Sequence, residues 1–119
     1  ADWNVSKQRV FTYNDGVEIS TTGTHSDGTN TDVAEWGDNR FGVSFESLIT
    51  AAKVIEQSCD FRLTSGANEL INSKGASATI TYGLDSTGAA TTCPGSGTYY
   101  AELVYVGPAG KTFTYIFPY

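Results

Sequence analysis

Apolar and polar positions alternate with a period of two along most of the chain, most clearly from Thr98 to Tyr119. There Tyr99, Ala101, Leu103 and Tyr105 alternate with Tyr100, Glu102, Val104 and Val106. Beyond the Gly107-Pro108-Ala109-Gly110 break, Phe113, Tyr115, Phe117 and Tyr119 alternate with Thr112, Thr114, Ile116 and Pro118. Successive side chains of a strand point to opposite faces, and a short Gly/Pro link between two such runs marks a hairpin. Both faces of this hairpin carry apolar groups, which predicts a central place in a sheet.

The same period appears at the other end. Trp3, Val5, Lys7, Arg9, Phe11 and Tyr13 share one face of a first strand. Asn14-Asp15-Gly16 tolerates the positive φ angles of a tight turn, so Val17, Ile19 and Thr21 form its partner. Lys7 and Arg9 in mid-strand predict an edge, where charge discourages pairing with other chains. The polar segment His25 to Asp32 reads as a loop, Val33 to Trp36 as a short strand, and Gly37-Asp38-Asn39 as a turn. Phe41, Val43 and Phe45 resume a strand. Cys59, Phe61 and Leu63 alternate with polar neighbours and predict another. Ser65-Gly66 then turns into a short strand at Glu69-Leu70-Ile71, and Ser73-Lys74-Gly75 turns again. Ala76, Ala78, Ile80, Tyr82 and Leu84 make one face of a further strand, and Asp85 to Gly97 a loop.

Residues 44–56 carry two signals. Phe45, Leu48, Ile49, Ala52 and Ile55 fall at helical spacing, with Ser44 as a possible N-cap. Thr50, Val54 and Ile55 are weak helix formers, and a bulge near Ser47 would bring the apolar residues back into strand phase. The strand reading is preferred. It yields an all-β single domain over residues 1–119, a β-sandwich of about 7–9 mostly antiparallel strands. The alternatives are a small β-barrel, or an α+β fold if 44–56 is helical.

Composition narrows the function classes. The 119 residues include 13 Gly, 13 acidic and seven basic residues, for a net charge of −6. The seven cations are scattered, and a phosphate backbone needs a basic face, so nucleic-acid binding is not expected. No apolar run approaches the ~18 residues of a membrane-spanning helix, and no basic-then-apolar leader precedes Ala1. The chain therefore reads as a mature or excised domain. Cys59 and Cys93 are too few for a four-thiolate zinc site and do not form a CxxC motif. A Cys59–Cys93 disulfide is the preferred reading and implies an oxidising compartment. It would stabilise the fold by about 4 kcal/mol on the chain-entropy model.

Several segments then fall in a familiar order. They are Gln8-Arg9-Val10-Phe11-Thr12-Tyr13, Asn39-Arg40-Phe41-Gly42 leading into Leu48-Ile49-Thr50, and Cys59-Asp60-Phe61-Arg62 with Ser65-Gly66. Ala78-Thr79-Ile80-Thr81-Tyr82-Gly83 and a Cys-containing loop follow. This order resembles the β-rich halves of uncharacterised surface lipoproteins of the Bacteroidetes type, over most of the chain from Gln8. The resemblance implies an exported, cell-surface β-domain and carries over no catalytic residue. No lipobox cysteine stands at the start of the sequence given.

Candidate chemistry is sparse. His25, the single histidine, would need a nucleophile and an orienting carboxylate to act as a base. Ser26 and Asp27 adjoin it in sequence only, and a solvated loop histidine is expected. Gly95-Ser96-Gly97 lacks the following helix and Lys of a phosphate cradle. Asp27, Asn30 and Asp32 offer oxygens to Ca²⁺, but fall short of the six to eight ligands it takes, so no metal or other cofactor is expected. Trp3, Trp36, Tyr99, Tyr100 and Tyr119 are the candidate ligand aromatics, since exposed rings stack on sugars. Asn4-Val5-Ser6 is a formal glycosylation sequon. The expectation is a secreted or cell-surface structural, adhesive or assembly domain without catalytic activity. Its partners would be copies of itself, another surface protein or a glycan. A carbohydrate-binding module is the first alternative and a small secreted hydrolase the second.

Overall fold

The computed structural model describes residues 3–13, 16–91 and 98–119. The turn residues Asn14 and Asp15, and the stretch 92–97 with Cys93, lie outside the described residues. Nine strands follow in order: β1 (Trp3–Val5), β2 (Lys7–Tyr13), β3 (Val17–Gly23), β4 (Val33–Asp38), β5 (Ser44–Glu56), β6 (Arg62–Asn72), β7 (Ser77–Leu84), β8 (Tyr100–Val106) and β9 (Thr112–Pro118). Every pair is antiparallel, and all belong to one open sheet. The all-β class, the strand number and the single domain agree with the expectation from sequence. The sandwich-like domain is built from one continuous sheet, and that sheet is not closed into a barrel.

Its first edge is a strand in two parts. Ser6 donates its N–H to the Ala34 carbonyl (2.8 Å) and accepts from the Thr24 N–H (3.1 Å), so the chain passes from pairing with β4 to pairing with β3. β3 and β4 lie end to end beside it, and residues 24–32 leave the sheet between them. Gly23 makes that exit possible, because a Cβ there would overlap the Asp32 carbonyl as the loop returns. β5, 13 residues long, spans both: Ser44–Leu48 face β4, and Lys53–Glu56 face β3. The preferred strand reading of 44–56 therefore holds, with register breaks between Ile49 and Ile55, a few residues beyond Ser47.

Four local readings need correction. The 98–119 hairpin is not central: β9 is the second edge of the sheet. Cys59 lies in a 3-10 turn, Gln57–Cys59, and Asp60 and Phe61 both have positive φ (60° and 55°), so β6 starts only at Arg62. Ser65-Gly66 does not turn the chain but is an irregular point inside β6, which continues through Glu69–Ile71. Phe41 sits in the β4–β5 turn, held by the Asn39 carboxamide oxygen, which accepts the Phe41 and Val43 N–H groups (2.8 and 3.1 Å).

Register assigns the faces. One side carries Trp3, Gly37, Phe45 and Asn72 in one row, Leu70, Ala78, Tyr105 and Phe113 in the next, and then Ile80, Leu103 and Tyr115. The other side carries Asn4, Trp36, Glu46, Ile71, Ser77, Val106 and Thr112, followed by Glu69, Thr79, Val104 and Thr114. The sheet is amphipathic, one face aromatic and aliphatic, the other rich in Thr, Ser and Glu. Its core is small: Val33, Ala34, Leu48 and Ile49 are buried where the 24–32 loop rejoins the sheet.

The β9 edge is tied down by Tyr119. Its hydroxyl donates to the Leu63 carbonyl (2.6 Å) and accepts the Gly83 N–H (3.0 Å), linking the chain end to β6 and β7. The ring packs edge-on against Tyr82 and stacks with Tyr99, over which the Arg62 guanidinium lies. Burial pushes the Tyr119 phenol above its ordinary pKa. Tyr119→Phe leaves a donor and an acceptor without their partner, so urea unfolding should show a loss of about 1–2 kcal/mol. Unchanged stability would contradict this role.

Candidate functional site

On the polar face, the loop 24–32 and strands β1, β4 and β5 enclose a cleft of about 290 Å³. Its wall is Trp36, on which the His25 ring lies nearly parallel (10°) at 3.7 Å. His25 is fixed by a bridge to Val33, each accepting the other's N–H (3.0 and 3.1 Å). It is half-buried, in place of the solvated loop histidine expected. Asn4, Asp38, Ser44 and Phe45 complete the lining with the carboxyls of Asp27 and Glu46.

The two carboxyls meet and have opposite character. Asp27 Oδ1 accepts the N–H groups of Thr29 (2.8 Å) and Asn30 (2.7 Å). The Asn30 and Thr29 bonds, with a contact to Glu46, lower its pKa to about 2. Glu46 shifts the other way, chiefly through desolvation and then through Asp27 beside it. One Glu46 oxygen is shut off from solvent and has no hydrogen-bond partner among the described residues. One carboxyl raised beside one lowered is the divergence that acid–base pairs use. The cleft is a polar, aromatic-walled shape with two carboxyls in its lining.

The other residues singled out from sequence are dispersed. Asp27, Asn30 and Asp32 share the loop, but Asp27 Oδ1 is used by the loop backbone, and no cluster of three metal-ligating side chains occurs among the described residues. Of the candidate aromatics, Tyr99 is 1% exposed, Tyr119 is the structural tie above, and Tyr100 is half-buried on β8. Trp3 is exposed at the first edge, with its indole N–H donating to Glu35 (3.2 Å). Among the described residues there is no free cysteine, and Cys59 is buried; its expected partner Cys93 lies outside them.

Sequence reasoning missed two surfaces. On the apolar face a groove of about 220 Å³ runs between Trp3, Phe45, Leu70, Ala78 and Tyr105. Beside it the rings of Phe113, Tyr115 and Phe117 stack along β9 at 6.4 and 6.0 Å. Trp3, Leu70, Tyr105, Phe113 and Tyr115 are 40–59% exposed. On the same face Lys7, Arg9 and Lys53 converge on a pocket of about 200 Å³. That is a pocket, not the extended basic stripe a phosphate backbone requires. Only the strand register could have revealed these groupings, since Trp3 and Tyr105 of the groove lie 102 residues apart.

No helix among the described residues is long and apolar enough to cross a membrane. No family model matches the chain, and neither a curated protein nor a solved structure shows significant similarity to it.

The carboxyl pair fixes the sign of a pH effect. A carboxyl raised in the folded state favours folding below its ordinary range, and this contribution is lost as pH rises through the raised midpoint. Asp27 acts oppositely: its contribution is present above the ordinary aspartate value and is lost as pH falls through about 2. Asp27→Asn keeps an acceptor for Thr29 and Asn30 but removes the neighbouring charge. Carbon-13 NMR titration should then show the Glu46 midpoint falling part of the way towards an ordinary glutamate, with desolvation holding the remainder. An unmoved midpoint in the folded variant would exclude the coupling.

Proposed function

We propose that this chain is an exported, non-enzymatic assembly domain whose apolar sheet face is covered by a second copy of itself. The observation that carries the reading is that face: aromatic and aliphatic side chains in register across β6, β7, β8 and β9, with large rings left open to solvent. A half-covered antiparallel sheet ordinarily turns its apolar side to a core and its polar side to water. Here the polar side has the expected composition, while the apolar side lacks a second layer among the described residues. The accessible surface, 7156 Å², exceeds by roughly a seventh the ~6,200 Å² typical of a folded monomer of this mass.

Two features favour a second copy as the cover. The molecule measures 45 × 30 × 22 Å, so a face along its two longer dimensions offers at most roughly 1,300 Å², room enough for the ~800 Å² per partner of a stable interface. The face also carries both a groove, at Trp3, Leu70 and Tyr105, and a ridge, at Phe113, Tyr115 and Phe117. A two-fold axis lets the ridge of each copy enter the groove of the other, as a self-complementary patch requires. The edges are poorer candidates: Lys7 and Arg9 charge the first, and on the second β9 closes with Pro118, which has no N–H to donate. Export fits a Cys59–Cys93 bridge, which this reading includes.

Sedimentation velocity should find a dimer or larger species for the wild type. Phe113→Lys should shift it to monomer while leaving the circular dichroism spectrum unchanged, and Leu70→Lys, in the groove, should do the same independently. A wild type that stays monomeric as concentration rises would overturn the reading.

A further inference from the structure

Three of the seven basic residues of this acidic chain meet in one place. Arg9, Thr21 and Lys53 stand in a single row across β2, β3 and β5. Lys7 stands opposite Gly23 in the next row. Thr21 is short, so the longer Arg9 and Lys53 chains on either side of it reach past it into the pocket. Apolar walls from Ile49, Ile55 and Leu63 close the pocket below.

The charges there do not balance. Glu35 is the single carboxylate of the lining, and it is engaged by the Trp3 indole N–H and by Lys7 at 3.4 Å. No carboxylate among the described residues forms an ion pair with Arg9 or Lys53; the Lys53 ammonium lies 5.5 Å from the Tyr82 ring centroid. Burial, then the charge of Lys7, holds that ammonium below its ordinary pKa. Cations crowded against apolar walls gain most from a small anion that enters between them, because the low local dielectric strengthens each contact.

We infer that the Lys7–Arg9–Lys53 pocket is a binding site for a small oxyanion. The Arg9 guanidinium supplies the planar fork that grips two oxygens at once, the lysines supply point charges, and the Asn68 carboxamide offers a neutral donor at the rim. Phosphate, sulfate and carboxylate groups share this chemistry. The pocket shares the apolar face with the proposed interface but lies towards its opposite edge. Its residues lie on strands β2 and β5, away from the Phe113 ridge on β9.

The test is an amide NMR titration with inorganic phosphate, sulfate and acetate, each against chloride at matched ionic strength. Saturable shifts at Arg9, Thr21 and Lys53 are expected. Saturation by phosphate and sulfate alone assigns a tetrahedral oxyanion as the ligand, whereas saturation by acetate as well assigns a carboxylate. Arg9→Gln, at an exposed edge position, should weaken binding by about tenfold or more, and Lys53→Gln should do likewise. Shifts that never saturate and match those from chloride would overturn the inference. So would undiminished binding in the folded Arg9→Gln protein.

Discussion

β5 must pair along its whole length with two different neighbours, and the rest of the sheet depends on that. Its first half is bonded to β4, its second half to β3, and its other side to β6. Because β3 and β4 lie end to end against it, the intervening residues 24–32 are pushed off the sheet as a loop. That loop returns through Asp32, whose carbonyl accepts the Ile49 N–H (3.0 Å). Here both faces of β5 are covered, and Leu48 and Ile49 are buried on successive positions. The His25–Trp36 cleft follows directly: the loop that closes over the sheet carries His25 and Asp27, and the strands beneath carry Trp36 and Glu46.

Away from that crossing the sheet has little to bury itself against. Among the described residues the buried apolar core is Val33, Ala34, Leu48 and Ile49 at the crossing, with Cys59, Ala76, Leu84, Tyr99 and Ala101 elsewhere, which is small for a chain of this length. A fully buried large side chain contributes roughly 1.5–3 kcal/mol, and the exposed rings of Trp3, Phe113 and Tyr115 contribute little of it in the monomer. Assembly and stability therefore become one question. The same amphipathic register that leaves the apolar face open provides the area for a partner. The basic pocket lies on that face too, so its cations sit beside apolar walls and not in open water.

Much of the fold was legible because period-two alternation survives wherever a strand is regular. The first hairpin, the charged edge at Lys7 and Arg9, and the strand from Ala76 to Leu84 could all be read this way. The misreadings have physical causes. Leu48 and Ile49 mimic a helical stripe because β5 is buried on both faces at that point and its register breaks just beyond. Cys59, Phe61 and Leu63 alternate in sequence, yet two residues with positive φ stand between β5 and β6, and nothing in their identity marks that backbone. The hairpin of 98–119 looked central because it is apolar on both sides; it lies at an edge, with the rings of Tyr105, Phe113 and Tyr115 exposed. The cleft and the basic pocket were hidden because Trp36 meets Glu46, and Arg9 meets Lys53, only once the register is known.

If the apolar face is covered by a second copy, folding and association are linked, and stability must depend on protein concentration. Thermal unfolding followed over a wide concentration series is the most direct measurement of this. The account predicts a midpoint that climbs steadily with concentration, as for a protein whose second layer is its partner. A midpoint independent of concentration, in protein that unfolds reversibly, would mean that the open sheet is stable alone, and would contradict it.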